Sequence, residues 1–357
     1  MGIKITSKEL VTLLETAPSE QNIMLTGKHG IGKSQILKKY FEKKGQKVVT
    51  LFLGQMSDPG DLIGLPHLDE QTGKTDFMLP YWWPLDEKPI ILFLDELNRA
   101  RPEVLQTIMD LTLNRTLAGK ELPKGSRIIS AVNDGEEYQL TDLDPALVSR
   151  FNIYEFRPTV QEWLLWAQKN EIDSRVIDFI SENPDMLDGA EFTREDQGLE
   201  KTPDRRGWEK VSDYLLANQK ITPFHKKVIA GIVGMGAASK FIAFVSKHKI
   251  LSAKEILLGD FSKTKAVLEK YTIPDLASIN DSLFRFIETA SYDDTDKKNV
   301  VSNLVKYFDF LKTKNLREAQ AHFINLCSSA VYPNCIVFIV SECPGLYKEI
   351  TDFIKLI

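Results

Sequence analysis

The chain has 357 residues, a net charge of −5 and a 43% hydrophobic fraction, with a pI near 5.7. This is the composition of an ordinary globular chain of one to three domains with enough apolar residues for a large core. The acidic balance lacks the global electrostatic footprint of a nucleic-acid binder. The three cysteines, Cys327, Cys335 and Cys343, recur every eight residues. That spacing fits no zinc pattern, and an odd count does not make a secreted disulfide framework, so reduced core thiols are expected.

In chain order, Thr6 and Glu9 have capping-box spacing, and Leu10, Leu13 and Leu14 follow on one helical face. The N-terminus leads into this helix and does not read as a signal peptide, and Gly2 alone does not make a lipidation site. Short apolar strands are predicted at 22–26, 48–53, 90–94, 128–132 and 152–156. Helices are predicted at 34–44 and 102–113. Apolar strands alternating with helices imply an α/β fold with a parallel five-stranded sheet covered on both faces. After residue 157 the pattern changes. Segments 162–169 and 174–181 read as helix, 182–206 as a polar, acidic mobile loop, and nearly everything from Trp208 onward as helix. The expected organisation is a nucleotide-binding domain at 1–157, a helical lid at 158–220 and a helical extension at 221–357. Segment 228–239 is apolar and rich in small residues, but Lys240 ends it before it could span a bilayer. A buried helix packed closely through Gly231, Gly234 and Gly236 is expected there, in a cytoplasmic protein with no membrane segment.

The strongest chemical signal is Gly27-Lys28-His29-Gly30-Ile31-Gly32-Lys33-Ser34, a full G-x-x-x-x-G-K-[ST] match. Its glycines let successive backbone N–H groups point at phosphate oxygens, and the helix that follows adds its dipole. Lys33 is placed to reach the β- and γ-phosphates and the Ser34 hydroxyl to ligate Mg²⁺. A second motif ends the apolar run 90–94 in Asp95-Glu96, 62 positions after Lys33. Asp95 can hold the Mg²⁺ opposite Ser34, and Glu96 can take a proton from attacking water. The pair argues for hydrolysis as well as binding. His29 sits inside the loop, and the other four histidines form no metal spacing.

Asp95-Glu96-Leu97-Asn98-Arg99-Ala100-Arg101-Pro102 resembles the signature run of the MoxR-like AAA+ ATPases, a dynein-related group of the helix-2-insert clade. Segments 57–66 and 79–84 resemble the same group. The resemblance is specific over about 20–157, continues weakly through 202–212, and beyond that is only helical character. It implies a P-loop AAA+ core followed by an all-helical lid, with ATP and Mg²⁺ as cofactors. It makes Asn133, at a strand end 38 positions after Asp95, the sensor-1 residue, although an Asn there is as often a turn former. Arg150 matches the arginine finger that reaches a neighbouring subunit's γ-phosphate. Arg205 and Arg206 compete for the sensor-2 role. The family pattern is Pro-Arg-x-Trp, here interrupted by Asp204 and a second arginine; counting back from Trp208 favours Arg206. Segment 67–79 resembles the helix-2 insert hairpin, and 113–127 a hairpin before sensor 1.

The function implied is a ring-forming ATPase, a hexamer, that remodels or activates a protein partner, with a von Willebrand A-domain protein implied by the resemblance alone. A nucleic-acid motor of the restriction or translocase kind is the first alternative, weighed down by the acidic pI and by the lack of a basic, aromatic-interleaved stretch. An ATP-gated scaffold with little turnover is the second. A small-molecule P-loop kinase would need neither Asn133 nor Arg150.

Overall fold

The computed structural model describes residues 2–133, 143–189, 201–218, 221–247 and 251–355. Two compact units divide the chain, Met1–Thr159 and Val160–Ile357.

The first unit contains β1 (Ile3–Ile5), α1 (Ser7–Thr16), β2 (Ile23–Gly27), α2 (Lys33–Lys43), β3 (Lys47–Phe52), α3 (Gly60–Ile63), β4 (Pro66–Asp69), β5 (Lys74–Phe77), β6 (Ile90–Asp95), α4 (Pro102–Asn114), β7 (Thr116–Leu117), β8 (Lys120–Glu121), β9 (Arg127–Asn133), α5 (Pro145–Val148) and β10 (Asn152–Phe156). The main sheet is parallel throughout, in the order β1-β10-β2-β9-β6-β3. It has six strands and not the expected five. The extra strand, β1, is three residues long and pairs on one side only, with β10. Three residues carry no readable alternation, so sequence pattern could not reveal it.

Side chains alternate across each strand and so feed two cores. Ile91 and Phe93 face one side with Leu10 and Leu14 of α1 and Leu37 and Phe41 of α2. Leu92 and Leu94 face the other with Val104, Ile108 and Leu111 of α4. The Thr6 capping box is present, with its hydroxyl accepting from the Glu9 N–H. Two antiparallel hairpins, β4-β5 and β7-β8, branch from this frame. Lys120 in one lies 3.8 Å from Asp76 in the other.

Among its described residues the second unit contains helices and no strand. Its first core centres on Trp208 and draws on α6 (Val160–Lys169), α7 (Ser174–Glu182), α8 (Arg205–Ala217), α9 (Pro223–Val233) and α10 (Met235–Lys247). Its second is built from α11 (Ala253–Leu258), α12 (Phe261–Leu268), α13 (Ile273–Thr289), α14 (Asp294–Thr313), α15 (Arg317–Cys327), α16 (Pro333–Glu342) and α17 (Pro344–Ile354). The middle of the acidic loop expected at 182–206, residues 190–200, lies outside the described residues.

The single close-packed helix expected at 228–239 is instead two helices broken at Gly234, whose φ is 86°. A Cβ there would sit 2.0 Å from the Lys201 carbonyl oxygen, whereas one on Gly231 or Gly236 would meet nothing within 4 Å. Only Gly234 therefore serves close approach; the other two face open space. The cysteines are free, with Cys335 and Cys343 buried and Cys327 half-buried. Burial pushes the Cys327 thiol up to about 12 and that of Cys343 up to about 11. Among the described residues no helix is long and apolar enough to cross a membrane.

Candidate nucleotide site

In a parallel sheet every strand ends at the same edge, and here three adjacent strand ends carry the polar residues of the site. β2 ends at Gly27, β9 at Asn133 and β6 at Asp95. Gly27 and Asn133 are register partners.

The loop after β2 turns sharply back on itself. A Cβ on Gly27 would lie 2.8 Å from the Ile31 side chain and 2.9 Å from the Phe156 carbonyl oxygen, so no other residue fits. Gly32 takes a left-handed φ of 95° as the N-cap of α2, a conformation an L side chain adopts only at a cost. The first turn of α2 therefore begins at Lys33 with its N–H groups facing the loop, the arrangement that favours anions.

Lys33 is 6% exposed. Its ammonium donates to the carbonyls of Gly27 (2.6 Å) and Lys28 (3.0 Å) and to Asn133 Oδ1 (2.9 Å). The Ser34 hydroxyl donates to Asp95 Oδ2 at 2.8 Å, and the other Asp95 oxygen accepts the Glu96 N–H at 3.0 Å. A hydroxyl and a carboxylate this close are hard oxygen donors of the kind Mg²⁺ takes, usually with waters completing its shell. Lys33 with Asn133 and Ser34 with Asp95 thus form two hydrogen-bonded pairs, side by side because Lys33 and Ser34 are consecutive at the start of α2.

Residues 22–151, which span both pairs, match the AAA domain family of the dynein-related subfamily. This segment is an AAA+ domain. A 141-residue stretch is 29% identical to the candidate chaperone BssE of Thauera aromatica, covering 37% of this chain and 49% of that protein. The match thus spans about half the length of that relative. Among solved structures, a candidate ATPase from Cytophaga hutchinsonii is 15% identical with a TM-score of 0.32, over 87% of this chain and 77% of that one. The RuvB Holliday junction branch migration motor of Thermotoga maritima is 16% identical with a TM-score of 0.37, over 78% and 80%.

Glu96 occupies a different corner of the AAA+ domain. Its backbone is left-handed, with φ 56° and ψ 40°. Its carboxylate pairs with Arg99 at 2.8 Å and comes within 3.1 Å of the position a Cβ on Gly54 would take. Arg150 follows α5 at the opposite edge of the sheet. Its carbonyl accepts from Asn22, just before β2, and its guanidinium donates to the Met109 carbonyl on α4.

Arg205 and Arg206 open α8 in the second unit. Arg205 is buried and bound through Nε (2.9 Å) and a terminal nitrogen (2.8 Å) to Asp188, while Arg206 is exposed. Trp208 is fully buried and donates to the Met186 carbonyl.

Asn98 and Arg99 of the signature run were given no role from sequence. Asn98 is 2% exposed and donates to the Asn133 carbonyl at 3.0 Å, tying the β6–α4 turn to the end of β9. Arg99 holds the Glu96 carboxylate. Their position directly after Asp95-Glu96 is the only sequence signal for either.

Proposed function

We propose that this chain is an ATP-hydrolysing, chaperone-like AAA+ machine of the MoxR type, working as a homo-oligomeric ring, a hexamer, on a protein partner. A von Willebrand A-domain protein is the partner this reading names, on the resemblance of the signature runs. The observation that carries the hydrolytic reading is the cluster of Lys33, Ser34, Asp95 and Asn133 at three neighbouring strand ends.

In this reading the loop N–H groups and the α2 N-terminus receive the β- and γ-phosphates of ATP. Lys33 exchanges its bonds to the Gly27 and Lys28 carbonyls for phosphate oxygens, and the ionic bonds it gains are stronger than the neutral ones it gives up. Ser34 and Asp95 would hold Mg²⁺, which would neutralise charge on the phosphate oxygens. Glu96 accepts a proton from water as the water oxygen bonds to the γ-phosphorus and the bond to the β-phosphate oxygen breaks, releasing ADP and phosphate. Asn133 orients that water. Of the two sensor-2 candidates, the exposed Arg206 suits the role better than Arg205, which is committed to Asp188.

The sheet supports a shared site. β2 has five residues, which at about 3.3 Å per residue separates its two ends by roughly 13 Å. Arg150 stands at one end and the phosphate loop at the other, so Arg150 serves a phosphate by reaching into a neighbouring copy.

The test is Glu96→Gln, which keeps the side chain's shape and removes its basicity. ATP affinity is expected to persist while turnover falls by about 10²-fold or more. Turnover at the parental rate would refute the assignment of Glu96 as base.

A further inference from the structure

The opposite edge of the sheet, where the strands begin, holds a cavity of about 340 Å³ between α1, α2 and the first residues of β6 and β9. β9 has seven residues, so at about 3.3 Å per residue roughly 20 Å separates this edge from Asn133 and the phosphate loop. Leu14, Phe41 and Ile91 give the cavity an apolar wall, and Arg127, the first residue of β9, brings a guanidinium to it. Arg127 is 9% exposed. Its Nη2 donates to the Ala17 carbonyl at 2.8 Å, while its Nη1 is buried without a partner. The Ala17 bond caps α1 but uses only one of the guanidinium's N–H donors. Among the described residues no carboxylate pairs with Arg127. Burial is the strongest influence on the guanidinium and draws its pKa below the ordinary value. The other cation lining the cavity, Lys44, is already matched: it lies 3.5 Å from Glu15, also in the lining, and stands 4.7 Å over the Tyr40 ring. Arg127 is thus the uncompensated charge of this cavity, and a buried cation lacking a counter-charge is costly to keep.

We infer that this cavity binds a small organic monocarboxylate, its carboxylate on Arg127 and its apolar body against Leu14, Phe41 and Ile91. A planar guanidinium suits a carboxylate, which can take two N–H bonds at once. The Glu15 carboxylate in the same lining repels a second negative charge, so a doubly charged phosphate or a nucleotide fits this cavity less well. The inference stands apart from the hydrolytic reading, since none of the lining residues belongs to the phosphate site.

Hexanoate is the probe, titrated by calorimetry into the full-length protein with and without saturating Mg-ATP. The expected result is saturable binding of about millimolar affinity, the range open to a small ligand held by one charge pair, and unchanged by Mg-ATP. Hexanol lacks the charge and inorganic phosphate lacks the apolar body, so each binds about tenfold more weakly or worse. Arg127→Met weakens hexanoate by about tenfold or more, the loss of a charge-assisted hydrogen bond. Because that variant also gives up the Ala17 bond, Ser19→Phe is made alongside. It fills the cavity from its rim and leaves Arg127 in place. Retained ATP affinity reports that each variant is folded, and Ser19→Phe decides the matter if Arg127→Met is not. Four results would overturn the inference: no saturable hexanoate binding up to about 10 mM, displacement of hexanoate by Mg-ATP, phosphate bound as tightly as hexanoate, or parental hexanoate affinity in a folded variant.

Discussion

The buried pair between α7 and α13 offers a stability test whose sign depends on pH. Arg285 is 2% exposed and donates to Ser181 Oγ at 3.0 Å and to Asp178 Oδ1 at 3.3 Å, while its Nε is buried without a partner. Burial pushes the Asp178 carboxyl up from 3.8 to about 6, although the Arg285 charge draws it down. A native value above the unfolded one means that folding binds a proton between the two. The stability from this group is therefore complete below about pH 4 and is lost as pH rises through 6. At about 1.4 kcal/mol per pH unit, that loss has a ceiling of roughly 3 kcal/mol. Arg285→Met removes the counter-charge with little change in volume. At pH 8 it leaves a carboxylate with no cation beside it, a loss of about 3–5 kcal/mol. At pH 5 the same carboxyl is neutral, and what remains is mainly the Ser181 hydrogen bond, about 1 kcal/mol. Hydrogen exchange of peptides from α7 and α13, read at both pH values, measures the local opening free energy. Adding Asp178→Asn should restore most of the loss at pH 8. Equal losses at the two pH values, or a larger loss at pH 5, would refute the reasoning.

Two further outcomes are expected. Gly234→Ala forces a side chain into a left-handed backbone and onto the Lys201 carbonyl, so thermal melts should show a loss of about 2–4 kcal/mol, whereas Gly231→Ala, in the open on α9, should be neutral or gain up to about 1 kcal/mol. Arg150→Ala should lower turnover about 10³-fold in the assembled protein and be rescued by copies that are intact at Arg150 but carry Glu96→Gln; an equal loss in dilute, unassembled protein would rule out action in trans.

How much was legible in the sequence depended on whether a signal was local. The five longer strands announced themselves because each is an apolar run bounded by turn or charged residues, and Asp95 could be placed near Ser34 because parallel strands end at one edge. The hairpins at 66–77 and 116–121 were legible through Gly73 and Gly119, which take φ of 65° and 77°. Edge strand β1 was not, since its pairing lies 150 residues away in β10. Gly231 and Gly236 misled because small residues in an apolar run look alike whether they touch a neighbour or face open space. The helical unit could be read as helix but not as packing. Tyr307 donating to Asn280 at 2.8 Å, and Asn280 donating to the Ala319 carbonyl, join three helices by contacts no periodicity encodes. The pairing of Arg99 with Glu96 was hidden for a related reason. It depends on the left-handed backbone at Glu96, and nothing in a run of ordinary residues marks that conformation.

The order of the strands explains why this site is both compact and incomplete. Because β2, β9 and β6 are direct neighbours, at the usual spacing of about 4.8 Å, the start of α2 after β2 lies beside the ends of the other two strands, and Lys33 bonds Asn133 while Ser34 bonds Asp95. Of the four side chains only Lys33 is long, and its ammonium spans the gap to Asn133. The same geometry removes the other end of the sheet from reach. Arg150 is fixed there by its own carbonyl to Asn22 and by its guanidinium to α4. The edge strand β3, next to β6, ends in a turn with no side chain at position 54, and Glu96 fills that gap in the company of Arg99. The cluster that would grip the phosphates is therefore assembled within one copy, while the two residues proposed to drive the chemistry, Glu96 and Arg150, both stand away from it.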